Sequence, residues 1–417
     1  MKMLSRLLAL TLALLLCLPA LAETTPEDVL VTINGSSVTR TEYETCLTSL
    51  QDTYASYGYD VTDPTMAAIL QQMALETAMQ YEMLQFKIVE LGLQLTDEEL
   101  ADAAQLARED FSLQVDLIVD QYGLYGLADV STEAGRAAVM VEVLSQLEAM
   151  GITEASYIAM SQTNAGYDKV YDWVVRDVSV TEEEIRAHFD ALVDADRVAY
   201  ANDVAAYEAM LESNRYALMY GMTEYYVDLY YVPEGYRSLT HILLQADDTA
   251  LANWTALNAN GADPAEIAAA EAAVLASVQP SVDEINARLA AGESFASLIP
   301  EYTIDTGMMD ESAIAAGYEL HAQSTGWAEP FQAAAFTLTQ VGEISAPVVS
   351  DFGVHIICYA ADVPGGPVPY TDDVRALLSE ALLSPRQSSL FEETLAAWMA
   401  EAEIAYSEEA QTLLSAY

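Results

Sequence analysis

The chain has few histidines, cysteines and basic residues. Its 417 residues include four His and three Cys, and 15 Lys and Arg stand against 65 Asp and Glu, for a formal net charge of −50. Phosphate backbones and anionic lipids repel so acidic a protein, which argues against nucleic acid and charged membranes as partners. The Cys and His residues show no zinc-type spacing, so we expect neither a metal nor another cofactor.

Long apolar runs are missing except at the N-terminus. There, Lys2 and Arg6 precede an apolar run over residues 7–16, and small residues follow at Ala20 and Ala22. This order predicts a secretory signal peptide cleaved near Ala22. The run is shorter than the roughly 20 residues of a membrane helix, although a retained anchor is the alternative. We therefore expect an extracytoplasmic protein with no stable transmembrane segment after cleavage.

The N-terminal half shows a hairpin followed by capped helices. Asn34-Gly35 lies between two apolar runs, which is typical of a tight β-hairpin. Thr followed by Glu at the third position predicts helices that begin near Thr39, Thr96 and Thr181. Apolar residues at three- and four-residue spacing predict a further helix over 65–91.

Two other segments stand out by composition. Residues 216–236 contain seven tyrosines, which fit either a surface that grips extended polypeptide or a segment packed on the core. Residues 372–403 have a helical pattern, and Pro385 predicts a break or kink that divides it into two helices.

Two of the four histidines lie in short apolar strands, at His241 and His355. A buried imidazole without a partner is costly, so a His in such a strand needs a hydrogen-bonding group beside it. Read together, the two strands predict one buried His pair within one small domain.

The segments between these strands add further motifs. They are Glu301-Tyr302-Thr303-Ile304-Asp305, Gly317-Tyr318-Glu319-Leu320, Phe331-x-x-Ala334-x-Phe336, Val341-Gly342-Glu343-Ile344 and Ser350-Asp351-Phe352-Gly353-Val354-His355. Jointly they resemble the parvulin family of peptidyl-prolyl isomerases, over about residues 237–362. With the hairpin and capped helix before them, the chain resembles the extracytoplasmic foldases of the SurA and PrsA type.

The resemblance implies an α+β fold. A mostly helical SurA-like chaperone module would consist of residues 23–236 and a returning C-terminal segment, 363–417, that packs on the N-terminal region. An inserted parvulin domain, residues 237–362, would have a small antiparallel sheet surrounded by helices. Residues 1–22 would be the signal peptide.

The resemblance also implies site residues. His241, His355, Ser350 and Asp305 would form the catalytic group, and Leu320, Trp327 and Phe331 would form an apolar cup for the proline ring. Trp327 stands where the family usually has Met. Each assignment has a structural alternative. The histidine pair could be a hydrogen bond that holds the sheet, and Asp305 could be an acid at a turn. The three cup residues could be ordinary core packing.

The function implied is that of an exported peptidyl-prolyl isomerase and chaperone. Its partners would be unfolded or partly folded exported polypeptides with X-Pro bonds, and the sequence leaves the oligomeric state undetermined. The alternative is an inactive parvulin-like holdase, which would only bind unfolded polypeptide.

Overall fold

A computed structural model describes residues 28–415, which form two compact units. The first unit comprises residues 28–180 and 379–415, and the second comprises residues 181–378. The predicted signal peptide lies outside the described residues. The predicted boundaries at residues 237 and 362 both fall inside the second unit and stay predictions. Within residues 28–415, no helix combines the length and the apolar character needed to cross a bilayer.

The first unit contains five helices that follow an N-terminal hairpin. Its strands form an antiparallel sheet in the order β2-β1-β9, which joins the two ends of the described chain. The elements are β1 (Val29–Ile33), β2 (Ser36–Thr39), α1 (Arg40–Ser56), α2 (Pro64–Glu90), α3 (Asp97–Leu124), α4 (Glu133–Ala149), α5 (Glu154–Val175), the end of α13 (Asp372–Glu401), β9 (Ile404–Tyr406) and α14 (Glu408–Ser415).

The hairpin and the helix starts of this unit form where local sequence signals predict them. Asn34 and Gly35 both have positive φ, 51° and 89°, as a two-residue hairpin turn requires. Thr39 and Glu42 form a reciprocal capping box, and the same arrangement starts α3 at Thr96. The hairpin, these helix starts and the predicted helix over 65–91 are therefore confirmed.

The prediction that Pro385 separates two helices is wrong. Helix α13 runs without interruption through this residue. A proline removes one hydrogen bond, which a long helix tolerates when its flanking turns are held by packing. Here Phe391 and Leu395 of the same helix are buried in the core of the first unit, beside Val170 of α5.

The second unit contains the two apolar strands that carry His241 and His355. Its elements are α6 (Glu182–Tyr200), α7 (Val204–Met219), β3 (Tyr231–Val232), β4 (Arg237–Leu244), α8 (Asp248–Ala259), α9 (Pro264–Ala290), α10 (Phe295–Tyr302), α11 (Glu311–Ala316), β5 (Tyr318–Leu320), α12 (Glu329–Ala335), β6 (Val348–Ser350), β7 (Gly353–Asp362), β8 (Gly366–Pro367) and the first residues of α13. A capping box at Thr181 starts α6, as predicted.

A four-stranded antiparallel sheet, ordered β5-β4-β7-β6, divides the core of this unit in two. Successive side chains of a strand point to opposite faces. Ile242 and Ile356 therefore pack with α8, α9 and α10, whereas Leu239 and Ile357 pack on the other face with α12. The expected α+β class, mostly helical with a small antiparallel sheet, is confirmed.

The tyrosine-rich segment has both buried and exposed tyrosines. Tyr230, Tyr231 and Tyr236 are buried, as in a packed connecting segment. The earlier tyrosines are exposed at the end of α7 and in the loop that follows it: Tyr216, Tyr220, Tyr225 and Tyr226.

The turn between β6 and β7 requires glycine at Gly353. Its φ is +136°, and a Cβ atom there would lie 2.5 Å from the carbonyl oxygen of Leu244. We expect Gly353→Ala to lower the free energy of unfolding of this unit by about 3 kcal/mol or more. Gly292→Ala is the matched control, since its φ is +95° but no atom lies within 4 Å, and we expect it to cost about 1 kcal/mol. Urea unfolding measures both, and equal losses would contradict the steric argument.

Candidate active site

The two histidines lie on the α12 face of the sheet and contact each other. His241 of β4 pairs with Ile357, and His355 of β7 pairs with Leu243, so the two rings are diagonal neighbours. Their Nδ1 atoms are 3.1 Å apart, and the rings stack at a centroid distance of 5.2 Å. Both residues are only 4% exposed. The structure thus brings together the buried pair that the two apolar strands predict.

The hydrogen bonds around the pair have one consistent direction. Nε2 of His241 lies 2.7 Å from Oδ2 of Asp305, and an ionised carboxylate only accepts, so this nitrogen donates. In a neutral ring Nδ1 of His241 then accepts from Nδ1 of His355. Nε2 of His355 in turn accepts from the hydroxyl of Ser350, 2.6 Å away. The chain of donors therefore runs from Ser350 through both rings to Asp305.

Asp305 is the last acceptor of this chain of hydrogen bonds, and its own loop holds it in place. Its carboxylate accepts from the backbone N–H of Gly307 and so caps a short 3₁₀-helix, Thr306–Met308. The same carboxylate accepts from His241 and from the hydroxyl of Tyr318, at 2.9 Å. The turn-acid alternative and the contact with the histidine are therefore both present. The Asp305 side chain is 23% exposed, so it is the member of the chain that solvent or a ligand reaches.

Burial keeps both imidazoles neutral. Removal from water, with a smaller contribution from the nearby His241, lowers the pKa of His355 to about 4. Burial also lowers the pKa of His241, although the bond to Asp305 opposes that shift. Partial burial raises the pKa of Asp305, but the hydrogen bonds from His241, Gly307 and Tyr318 outweigh it, and the net shift is downward. The site is thus a neutral pair beside one carboxylate.

The three residues predicted for the proline cup lie together, and two of them are covered. Leu320 is 0% and Phe331 3% exposed, and both belong to the core on the α12 face. The Trp327 ring stacks over Phe331 at 5.8 Å and 15°. Phe331 also meets both histidine rings edge-on, at 5.2 and 5.1 Å. The three predicted cup residues therefore adjoin the polar chain, and the Trp327 ring lies over Phe331.

Two further residues of the site, Tyr318 and Thr303, are not predicted from the sequence motifs. Tyr318 donates to Asp305, and its ring lies 5.6 Å from His241 and 5.4 Å from Trp327. It stands two positions before Leu320 in β5, so strand alternation places both on one face and was the available signal. Thr303 accepts from the backbone N–H groups of Leu243 and Asp305, which fixes the loop beside β4. No pattern in the sequence marks that bond.

Comparisons with known proteins place the likeness in the same segment. Residues 241–361 match the rotamase family model described as a PPIC-type PPIASE domain. Over 123 residues the chain is 32% identical to foldase protein PrsA 2 of Listeria monocytogenes. The aligned segment is 29% of this chain and 40% of that protein. Over 121 residues it is 34% identical to foldase protein PrsA of Caldanaerobacter subterraneus, or 29% of this chain and 36% of that protein. The parvulin resemblance is thus confirmed for this domain, while the match spans about two fifths or less of those relatives' lengths.

Solved structures of similar proteins give a weaker likeness. PrsA from Bacillus subtilis is 17% identical, covers 93% of this chain and 98% of its own, and has a TM-score of 0.21. The parvulin NmPin of Nitrosopumilus maritimus is 26% identical, covers 31% of this chain and 99% of its own, and has a TM-score of 0.18. These scores are too low to add to the argument.

The neutral histidine pair predicts a pH dependence of stability. An unfolded His has a pKa of about 6.5, well above the folded value of about 4 for His355. Between these values the unfolded state binds more protons, so the free energy of unfolding falls as the pH falls from about 6.5 to 4. At about 1.4 kcal/mol for each unit of difference, His355 alone lowers it by about 3 kcal/mol. His355→Gln should lose most of this dependence.

The measurement needs probes within the second unit. In the first unit, burial and the neighbouring Glu42 raise the pKa of Glu82 to about 7, so that group acts in the opposite direction over much of the same pH range. Hydrogen exchange of the β4 and β7 amides reports the second unit separately. A slope that is the same in His355→Gln and in the wild type would contradict the assignment.

Proposed function

We propose that the chain is an exported peptidyl-prolyl cis-trans isomerase and chaperone of the SurA and PrsA type. The observation that supports this most directly is the hydrogen-bonded chain from Ser350 to Asp305 next to Leu320, Trp327 and Phe331, within residues that match the PPIC-type domain. In this proposal residues 237–362 are the isomerase domain. Residues 23–236 and 363–417 form the chaperone module.

The reaction needs no nucleophile. An X-Pro bond rotates slowly because conjugation gives a barrier of about 20 kcal/mol. In the planar amide the carbonyl oxygen carries extra negative charge, and twisting returns part of that charge to nitrogen. A fixed carboxylate beside this oxygen therefore destabilises the planar state more than the twisted one. We assign this role to Asp305, which the neutral His241 and His355 hold in place.

The proline ring would be held by the apolar side of the site. Leu320, Trp327 and Phe331 lie where a ring could be removed from water while its amide faces Asp305. Because Trp327 covers Phe331, the ring reaches this cup only when the indole swings aside. The apparent affinity then falls with the fraction of molecules that are open.

The closed cup also favours a second candidate function. If Trp327 never leaves Phe331, the domain binds no proline and the protein is a holdase for unfolded polypeptide. The exposed tyrosines at the end of α7 fit such a role, since each presents a large apolar face with a polar tip. Both candidates share the same partners, namely unfolded exported polypeptides.

The partners and the location of the protein are part of the proposal. The PrsA-type relatives carry the name foldase, and the N-terminal sequence fits a signal peptide cleaved near Ala22. The net charge of −50 supports weak attraction for basic segments of the client chain.

Substitutions in the polar chain test the isomerase. We expect Asp305→Ala and His355→Ala to lower kcat/KM for an Ala-Pro peptide by at least about ten-fold. The first removes the fixed charge at the amide, and the second removes a neutral ring of the hydrogen-bonded chain that holds this charge in place. The assay is protease-coupled or NMR-detected isomerisation, with refolding of a proline-limited client as a second readout. Asp310→Ala is the control, since Asp310 also caps a short helix but lies outside the chain of hydrogen bonds. Wild-type rates in both site variants, with folding intact, would refute the site.

Trp327→Met tests the closed cup. A flexible Met leaves more room above Phe331, so we expect kcat/KM to rise by about three- to ten-fold with the polar chain unchanged. If the wild type does not isomerise but suppresses client aggregation, and Trp327→Met isomerises, the native protein is a holdase with an intact but closed site. A fall in kcat/KM would instead mean that the indole itself holds the proline.

A further inference from the structure

A carboxylate from outside the matched domain holds the loop that carries Trp327. Glu208 lies on α7, ahead of residues 241–361. It accepts the hydroxyl of Ser324 and, at 3.2 Å, the backbone N–H of Thr325. It also accepts the hydroxyl of the buried Tyr236 at 3.1 Å, just before β4 begins. One side chain thus joins α7 both to a loop of the isomerase domain and to the residue just before that domain begins.

The anchored loop connects two members of the cup. Residues 321–326 run from Leu320 to Trp327, and Ser324 at their centre is buried. From the domain's own side, the amide of Gln332 donates to the carbonyl oxygens of His321, Ala322 and Ser324. Gln332 therefore shapes the loop, and Glu208 fixes it from the other side.

The hydroxyl of Ser324 ties these bonds together. It donates to Glu208 and accepts from the backbone N–H of His321 at 2.8 Å. A buried hydroxyl that loses its acceptor is costly, so removing the carboxylate should release the loop rather than leave it in place. The next residues toward the cup are Thr325, Gly326 and Trp327.

We propose that Glu208 is a positioning residue for the proline site: by holding Ser324 and Thr325, it keeps Trp327 stacked over Phe331. This inference rests on the proposed isomerase function and names what sets the accessibility of its cup. A helix in the chaperone module thereby sets the fraction of isomerase sites that are open. Loss of the anchor raises that fraction, and the apparent affinity for prolyl peptide rises with it.

The direct test is the kinetics of Glu208→Ala in the full chain. We expect KM for an Ala-Pro peptide to fall by about five-fold, as the loss of one or two hydrogen bonds allows, with kcat within about two-fold of the wild type. Glu208→Gln keeps an acceptor and should show an intermediate KM. Glu212→Ala is the control, because Glu212 lies one turn along α7 and pairs only with the exposed Arg215 among the ion pairs of the described residues. An unchanged or higher KM in Glu208→Ala would overturn the proposal.

A double substitution shows whether Glu208 acts through the indole. In a Trp327→Met background, Glu208→Ala should leave KM unchanged, because the group that it restrains has gone. An equal fall in KM in both backgrounds would show that Glu208 acts in some other way and would also overturn the proposal.

Hydrogen exchange separates this inference from the isomerase function. In Glu208→Ala and Ser324→Ala, the amides of residues 321–327 should exchange at least about ten-fold faster, with β4 and β7 unchanged. Faster exchange without activity in any variant would reject the isomerase and keep the anchor. Unchanged exchange in an active enzyme would reject the anchor and keep the isomerase.

Discussion

The second unit depends on a buried hydrogen-bonded chain that works only if two imidazoles stay neutral. Within it, every side-chain polar atom of Ser350, His355 and His241 has a partner, and the donors run in one direction toward Asp305. In a low-dielectric interior such a chain is stable when complete and costly when one member is missing. The strands β4 and β7 must therefore keep one register, since a slip of one residue would move a histidine to the other face. The geometry of the site therefore depends directly on the register of β4 against β7.

The sequence predicts this polar chain better than the cup beside it. Strand alternation and the cost of an unpaired imidazole are local rules, and they predict the pairing of His241 with His355 without any knowledge of the fold. Asp305 could be found only through the family resemblance, because its loop reaches β4 by bonds from Thr303 that no periodicity encodes. The stacking of Trp327 on Phe331 depends on how a loop returns to the sheet. That is a property of tertiary packing and has no signature in the order of residues.

The fold shows the same difference between features set by local sequence and features set by tertiary packing. Caps and the Asn34-Gly35 turn act within a few residues, so the hairpin and the starts of α1, α3 and α6 follow from the sequence. Pro385 shows the opposite case, since its local effect opposes the helix but burial of Phe391 and Leu395 further along outweighs it. Tyr216 and Tyr236 belong to one compositional cluster, yet one is exposed and the other buried. Composition alone does not distinguish them, because it does not tell which residues end α7 and which lead into β4.

The two halves of the site have opposite physical requirements. The histidine chain must be rigid and closed to water. Any opening would admit water to two imidazoles whose pKa values are lowered by burial, and to the hydrogen bond that holds Asp305. In the proposed isomerase the cup must open, because a proline ring cannot reach Phe331 while Trp327 lies on it. The structure meets both requirements by building the polar chain on paired strands and the cover on a loop. Glu208 and Gln332 hold that loop through a few hydrogen bonds, one of them from the buried hydroxyl of Ser324. These few hydrogen bonds hold the loop less firmly than the strand ladder holds β4 and β7, so Trp327 can move while the histidine chain stays fixed.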